Sequence, residues 1–161
     1  MGKIVVGLDA SPSSRAALAW AANYARMTGL PIQAVHAMPV PASLASVGVL
    51  GEAAPEPVDS IDADYRRDIE QVFATVDPLP EWQLEFYIDD PGPVVVAASR
   101  GATLVVVGTR EHRGLGRLVY GSVSRYCLGH SKVPVVAVPF SAAETEDAHV
   151  PVSGDGKPTD G

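Results

Sequence analysis

A single cysteine, Cys127, stands in 161 residues. No disulfide can therefore form within the chain, and a reducing compartment is the natural setting. Long apolar runs are missing as well. The most apolar stretches, Leu104 to Val107 and Val133 to Val138, are short and bounded by Pro or Gly. A membrane helix needs about 20 consecutive apolar residues, so neither a span nor a membrane partner is expected. Positive charge is scarce overall. Lys and Arg number 12 against 19 Asp and Glu, a net charge of -7, which argues against nucleic-acid binding through a basic surface. No charged and apolar leader precedes the first strand-like segment, Lys3 to Asp9. The expected location is therefore cytoplasmic.

What positive charge there is has been gathered. Arg100, Arg110, Arg113, Arg117, Arg125 and Lys132 fall in one stretch whose only acid is Glu111. Solvated helix and loop positions would account for them, but the same stretch carries a glycine pattern, and an anion site accounts for both.

The chain is long enough for one domain with a sizeable core. Lys3 to Asp9 is a β-branched run that reads as a buried strand. Ser11 and Pro12 give a cap and a first-turn proline. Ala17, Leu18, Ala21, Tyr24 and Ala25 follow at helical spacing until Gly29 stops them. Pro31 to Met38 is a second strand, and Pro39 to Pro57, rich in Pro, Ala, Gly and Ser, reads as a mobile loop. A helix over Asp59 to Val76 presents Ile61, Tyr65, Ile69, Val72 and Phe73 on one face. Glu81 to Ile88 alternates as a half-buried strand. A helix opens at Asp89-Asp90-Pro91 and ends near Gly101. Thr103 to Val107 is the fourth strand, Gly116 to His130 a helix, and Val133 to Pro139 the fifth strand. This alternation predicts an α/β fold with a parallel sheet and helices on both faces. No internal repeat is visible. Residues 1–140 read as the domain, and 141–161, with five acids against Lys157, as a disordered acidic tail.

In open α/β sheets ligands sit beyond the carboxyl ends of the strands. Strand 1 ends in Gly7-Leu8-Asp9 and strand 4 in Val107-Gly108-Thr109. The chain then runs from Arg110 through Gly114 and Gly116 to Gly121-Ser122-Val123. Glycines let backbone N–H groups approach phosphate oxygens, and a helix N-terminus adds free donors and a positive dipole end. The P-loop pattern fails for want of its lysine, and the dinucleotide fingerprint fails for want of its third glycine.

The spacing resembles that of the universal stress protein family: Gly, two residues, Gly, nine residues, then Gly-Ser or Gly-Thr. Gly108 and Gly121-Ser122 hold the outer spacings. The resemblance runs from Lys3 to Pro139. It includes Val5-Val6-Gly7-Leu8-Asp9-Ala10-Ser11, Val35-His36-Ala37, Gly92-Pro93, Leu104-Val105-Val106-Val107-Gly108 and Val133-Pro134-Val135-Val136-Ala137-Val138. It implies an open, Rossmann-like five-stranded parallel sheet of order 3-2-1-4-5. It implies ATP, with Mg, or a related nucleotide as ligand in one branch of the family and no nucleotide in another. Hydrolysis would be slow at most. It also implies a homodimer, formed through the strand at 133–138. Carried over by position, Asp9 would hold the nucleoside end, Gly7 and Leu8 would pass close to the base, and Ala37 would line it. Val107, Gly108, Arg110, Gly121, Ser122 and Val123 would surround the ribose and phosphates.

One position departs from the pattern. Its second glycine falls on Glu111. Two readings are open: either the carboxylate turns outward to pair with Arg110 or Arg113 while Gly114 and Gly116 supply the loop's freedom, or the site has lost the triphosphate. Elsewhere, His36 lies in an apolar strand and reads as a packed core histidine, and His112 as a solvated loop residue. Cys127 reads as core packing, and Trp20 and Trp82 as core or partner surface. Asp59, Asp62, Asp64 and Asp68 have the spacing of a solvated helix face and not of a metal site. Strand 5 should form a sheet edge, where pairing with another chain is invited.

Overall fold

The computed structural model describes residues 2–40, 57–58, 62–111 and 118–140. Most of the 39–57 loop, the 141–161 tail, and His112, Gly114 and Gly116 lie outside them.

Strand β1, Ile4–Gly7, is followed by helix α1, Pro12–Thr28. The cap expected from sequence is present: Ser11 Oγ accepts the Ser14 N–H at 3.2 Å, and Pro12 occupies the first turn. At the far end Gly29 adopts φ 72° and its N–H donates to Ala25 C=O, a left-handed stop that favours glycine. Strand β2 spans Ile32–Met38. Helix α2, Ala63–Ala74, starts at Asp62, whose carboxylate accepts the N–H groups of Asp64 and Tyr65. Strand β3, Gln83–Ile88, and helix α3, Pro91–Ala98, follow.

Strand β4, Leu104–Glu111, runs four residues past the Val107 end that its apolar run suggests. Neighbours on both sides extend it. Strand β6, Val135–Phe140, pairs with it in parallel up to Arg110↔Phe140. Strand β5, Leu118–Val119, pairs antiparallel through Arg110↔Val119 and Glu111↔Leu118. Because Arg110 has partners on both flanks, β5 lies on the β1 side, beyond where β1 stops. Helix α4 therefore begins at Ser122 and not at Gly116, since Leu118 and Val119 are held in the ladder, and it ends at His130.

The parallel strands run in the order β3-β2-β1-β4, with β6 on the far side of β4. This is the 3-2-1-4-5 order once β6 is counted as the fifth parallel strand. Alternate residues of each strand face opposite layers. Ile4, Val6, Ile32, Ala34 and Val106 meet α1 and Ile69 and Val72 of α2. Val5, Val35, Val105 and Val107 meet Val94 and Val95 of α3 and Cys127 of α4. Burying one such side chain contributes about 1.5–3 kcal/mol, and both layers are closed by runs of them. Trp82 is buried, whereas Trp20 is exposed and stacks on Tyr24 with ring centroids 5.2 Å apart. Among the described residues no helix is long and apolar enough to cross a membrane.

Candidate functional site

The strand-to-helix turn after β1 is built by its own short polar side chains. Asp9 Oδ1 accepts the Ser11 N–H at 2.7 Å, and the Asp9 N–H donates to Ser14 Oγ at 2.8 Å. Ser14 Oγ in turn donates to Gly7 C=O at 3.4 Å, and the Ser11 and Ser13 hydroxyls lie 3.1 Å apart. The turn holds the exposed Asp9 carboxylate at the carboxyl end of the sheet, with one oxygen committed to the backbone.

A cavity opens beside this turn. From β1 and its turn come Gly7, Leu8 and Asp9; from β2, Val35 and Ala37; from β4, Val107 and Gly108; from α4, Val123. Its volume is about 110 Å³, room for several waters or one flat ring. Seven of the ten residues expected from sequence thus line one cavity. Gly121 and Ser122 open α4 next to Val123, and Arg110 lies in β4 two residues beyond Gly108. The cavity is also lined by Ser11, Ser13, Ser14, Pro91 and Val95, which sequence reasoning did not assign to it. Of these, Ser11 reads from sequence as a helix cap and Pro91 as the start of a helix; Ser13, Ser14 and Val95 carry no local signal for the site.

Glycine is required at two close approaches. A Cβ on Gly108 would lie 2.3 Å from the Ser13 carbonyl oxygen, so only glycine lets β4 lie against the first turn of α1. A Cβ on Gly92 would lie 2.8 Å from Tyr126, where α3 meets α4. Three helices begin around the cavity. The start of α1 is capped by Ser11, but α4 starts at Gly121, which has no side chain to cap it. Among the described residues no side chain caps the first N–H groups of α4, and the helix dipole favours an anion there.

Glu111 sits in the ladder opposite Leu118. Ladder backbone is extended, a conformation open to any residue, so this position makes no use of a glycine's conformational freedom.

Beneath the turn, His36 is almost fully buried, as expected. Its Nδ1 lies 2.7 Å from Leu8 C=O, and its Nε2 lies 2.9 Å from the Tyr65 hydroxyl. A carbonyl only accepts, so Nδ1 carries the proton. In the neutral ring Nε2 then accepts from Tyr65. Burial raises the Tyr65 phenol above its ordinary pKa, and the Asp9 charge adds to the effect. Cys127 is buried in the α4 interface, and burial pushes its thiol up to about 11. Among the described residues no cluster of His, Cys, Asp or Glu could hold a metal ion.

Comparison with known proteins puts this geometry in context. The model of the universal stress protein family matches residues 1–139. A universal stress protein of Mycolicibacterium smegmatis is 33% identical over 158 residues, covering 92% of this chain and 52% of the relative. The chain spans about half the length of the curated relatives it matches. Among solved structures, a universal stress protein in complex with cAMP aligns with a TM-score of 0.55 at 20% identity, covering 85% of this chain and 95% of that one. The universal stress protein from Archaeoglobus fulgidus in complex with dAMP aligns with a TM-score of 0.54 at 19% identity, covering 86% and 98%. At such identities the structural likeness concerns the fold.

Proposed function

The chain belongs to the universal stress protein family, and on that premise we propose that it is a regulatory module whose ligand is an adenine nucleotide. The observation that carries this reading is the meeting of Asp9, Ala37, Gly108 and Val123 around one cavity, beside the uncapped start of α4. A flat base fits between β1 and β2, against Gly7 and Ala37. The free oxygen of Asp9 can accept from a ribose hydroxyl. The phosphates then fall toward Gly121, Ser122 and the arginine-rich segment that begins at Arg110. Two relatives of the same fold were solved with cAMP and dAMP, which supports the adenine choice.

The finer form of the proposal is ATP, with Mg, in a cytoplasmic homodimer paired through β6. Hydrolysis, if measured, would be slow, because the described residues offer no evident general base beside the phosphates. The second reading, a dimeric interaction protein that binds no nucleotide, is favoured by one observation: Glu111 stands where the family pattern has its second glycine. A carboxylate near a triphosphate costs repulsion.

Isothermal titration with ATP, AMP and cAMP decides between them. The nucleotide reading expects binding of at least one, weakened about tenfold or more by Asp9→Ala, and a nucleotide carried through native purification. No heat with any of the three for the wild type, together with tight ATP binding by Glu111→Gly, would sink the nucleotide reading.

A further inference from the structure

A second cavity lies at the opposite pole of the domain, between the C-terminal ends of α3 and α4. Its volume is about 340 Å³, and Ser99, Arg100, Gly101, His130 and Lys132 are among its lining. The N-terminal residue of α3, Pro91, lines the first cavity. Seven helical steps lead from Pro91 to Ala98, so about 10 Å of helix lies between the two sites.

Three of the lining side chains are basic and none is acidic. In a chain of net charge -7, that concentration calls for a cause. Helix C-termini attract cations, but each carries only about half a negative charge. Arg100 and Lys132 bring two full positive charges before His130 is counted. The helix ends are also partly satisfied already: Ser99 N–H donates to Val95 C=O at 3.0 Å, Arg100 N–H to Ala97 C=O at 3.3 Å, and Ser131 N–H to Cys127 C=O at 2.9 Å. Neither Arg100 nor Lys132 has an acidic partner among the described residues. About one positive charge is left over.

The third basic side chain, His130, is held in place. The His130 ring stacks on Tyr126 with centroids 4.0 Å apart, and its Nδ1 donates to Tyr126 C=O at 2.9 Å. That bond fixes the tautomer and leaves Nε2 without a protein partner among the described residues. Tyr126 is itself seated against Gly92 of α3, so the ring rides on the α3–α4 contact.

The geometry points to a second anion site, formed by Arg100, His130 and Lys132, that takes a small free oxyanion such as inorganic phosphate or a phosphate monoester. It is separate from the nucleotide cavity and does not depend on the nucleotide reading. Arg100 and Lys132 supply the charge-assisted bonds, and His130 Nε2 supplies a third contact, as acceptor to a protonated oxyanion or as donor once it is protonated.

The test is an amide NMR titration of the full chain with inorganic phosphate, with chloride adjusted to hold ionic strength constant. The expected result is saturable shifts at Gly101, Ser131 and Lys132, weakened about tenfold by the Arg100→Ala/Lys132→Ala double substitution. These side chains are exposed, so the rest of the variant's spectrum should be unchanged, which confirms that it folds. Repeating the titration with glycerol phosphate asks whether an ester is accepted. Shifts confined to residues 7–14 and 121–123, or shifts equal in the double variant, would overturn the proposal. So would a linear, unsaturated response at the second cavity.

Discussion

His36 Nδ1 lies 2.7 Å from the carbonyl oxygen of Leu8, so a buried ring on β2 fixes the residue that follows β1. The hydroxyl of Tyr65 completes the ring's hydrogen bonding from α2. Removing one partner of a buried polar pair costs more than the pair is worth, about 1–3 kcal/mol. Tyr65→Phe, which strands Nε2, should lower stability by about 1 kcal/mol, at the low end because Tyr65 is 39% exposed and water can reach the vacancy. His36→Ala strands the Leu8 carbonyl and opens a cavity, and should cost roughly 2–4 kcal/mol. Urea unfolding midpoints would check both. Equal midpoints for Tyr65→Phe and wild type would mean that the hydroxyl is not engaged.

The two crowded glycines should respond differently to alanine. At Gly108 the new methyl meets backbone, the Ser13 carbonyl at 2.3 Å; at Gly92 it meets the side chain of Tyr126 at 2.8 Å. Backbone in the first turn of a helix cannot move aside without breaking its cap, so Gly108→Ala should cost about 3 kcal/mol or more and disturb the cavity. The Gly92 contact is with Tyr126 Cβ and Cγ, which give only with a small shift of α4, but it is less severe than the one at Gly108, so Gly92→Ala should cost less, about 1–3 kcal/mol. Thermal denaturation of the two variants side by side would show the order, and a larger loss at Gly92 would contradict it.

Much of this was legible in the sequence because the core strands are nearly pure Val, Ile and Ala, and such runs are stabilised by burial alone. The strand 1 turn was readable for the same kind of local reason, since Ser11 and Pro12 announce a helix start wherever they stand. The end of β4 was not readable. Gly108, Thr109, Arg110 and Glu111 have no apolar period, and they are strand only because β5 and β6 flank them. For the same reason α4 could not be started correctly: Leu118 and Val119 fit a helix face, but the ladder with Arg110 and Glu111 takes them first. Tyr65 was placed on the apolar face of its helix. That was right in direction, but its bond to His36 joins residues 29 apart in sequence and has no local signature.

Cys127 makes stability depend on alkaline pH. In the unfolded chain its thiol ionises at the ordinary 9.0; folded, burial holds it near about 11. Between these values the unfolded chain binds fewer protons than the folded one, so raising the pH favours unfolding. The thiol's contribution is intact below pH 9.0 and is lost as pH rises to about 11. Cys127→Ala should begin less stable, because it leaves a cavity, yet lose less between about pH 8 and about pH 10 than the wild type does. Urea titrations at the two pH values measure the difference in slope. Iodoacetamide should label the native thiol far more slowly than the unfolded one, and equal rates would contradict the burial.

The β6 edge of the sheet can be tested at one backbone nitrogen. β6 has β4 as its only strand neighbour among the described residues. Val105 N–H donates to Pro134 C=O at 2.9 Å, with Val105 opposite Val135. In a parallel ladder of that register, the N–H groups of Val136 and Val138 face β4, and those of Val135 and Ala137 face outward. Pro139 continues the outward series, so its missing N–H costs the β4 ladder nothing. If the chain dimerises through this edge, as proposed, Ala137→Pro should remove an intersubunit donor while leaving β4 paired. The expected outcome is a wild-type dimer and a variant that is largely monomeric by light scattering at equal concentration, with a circular dichroism spectrum unchanged. A wild type that is monomeric across a wide concentration range, or a variant dimer as strong as the wild type, would place any association on another surface.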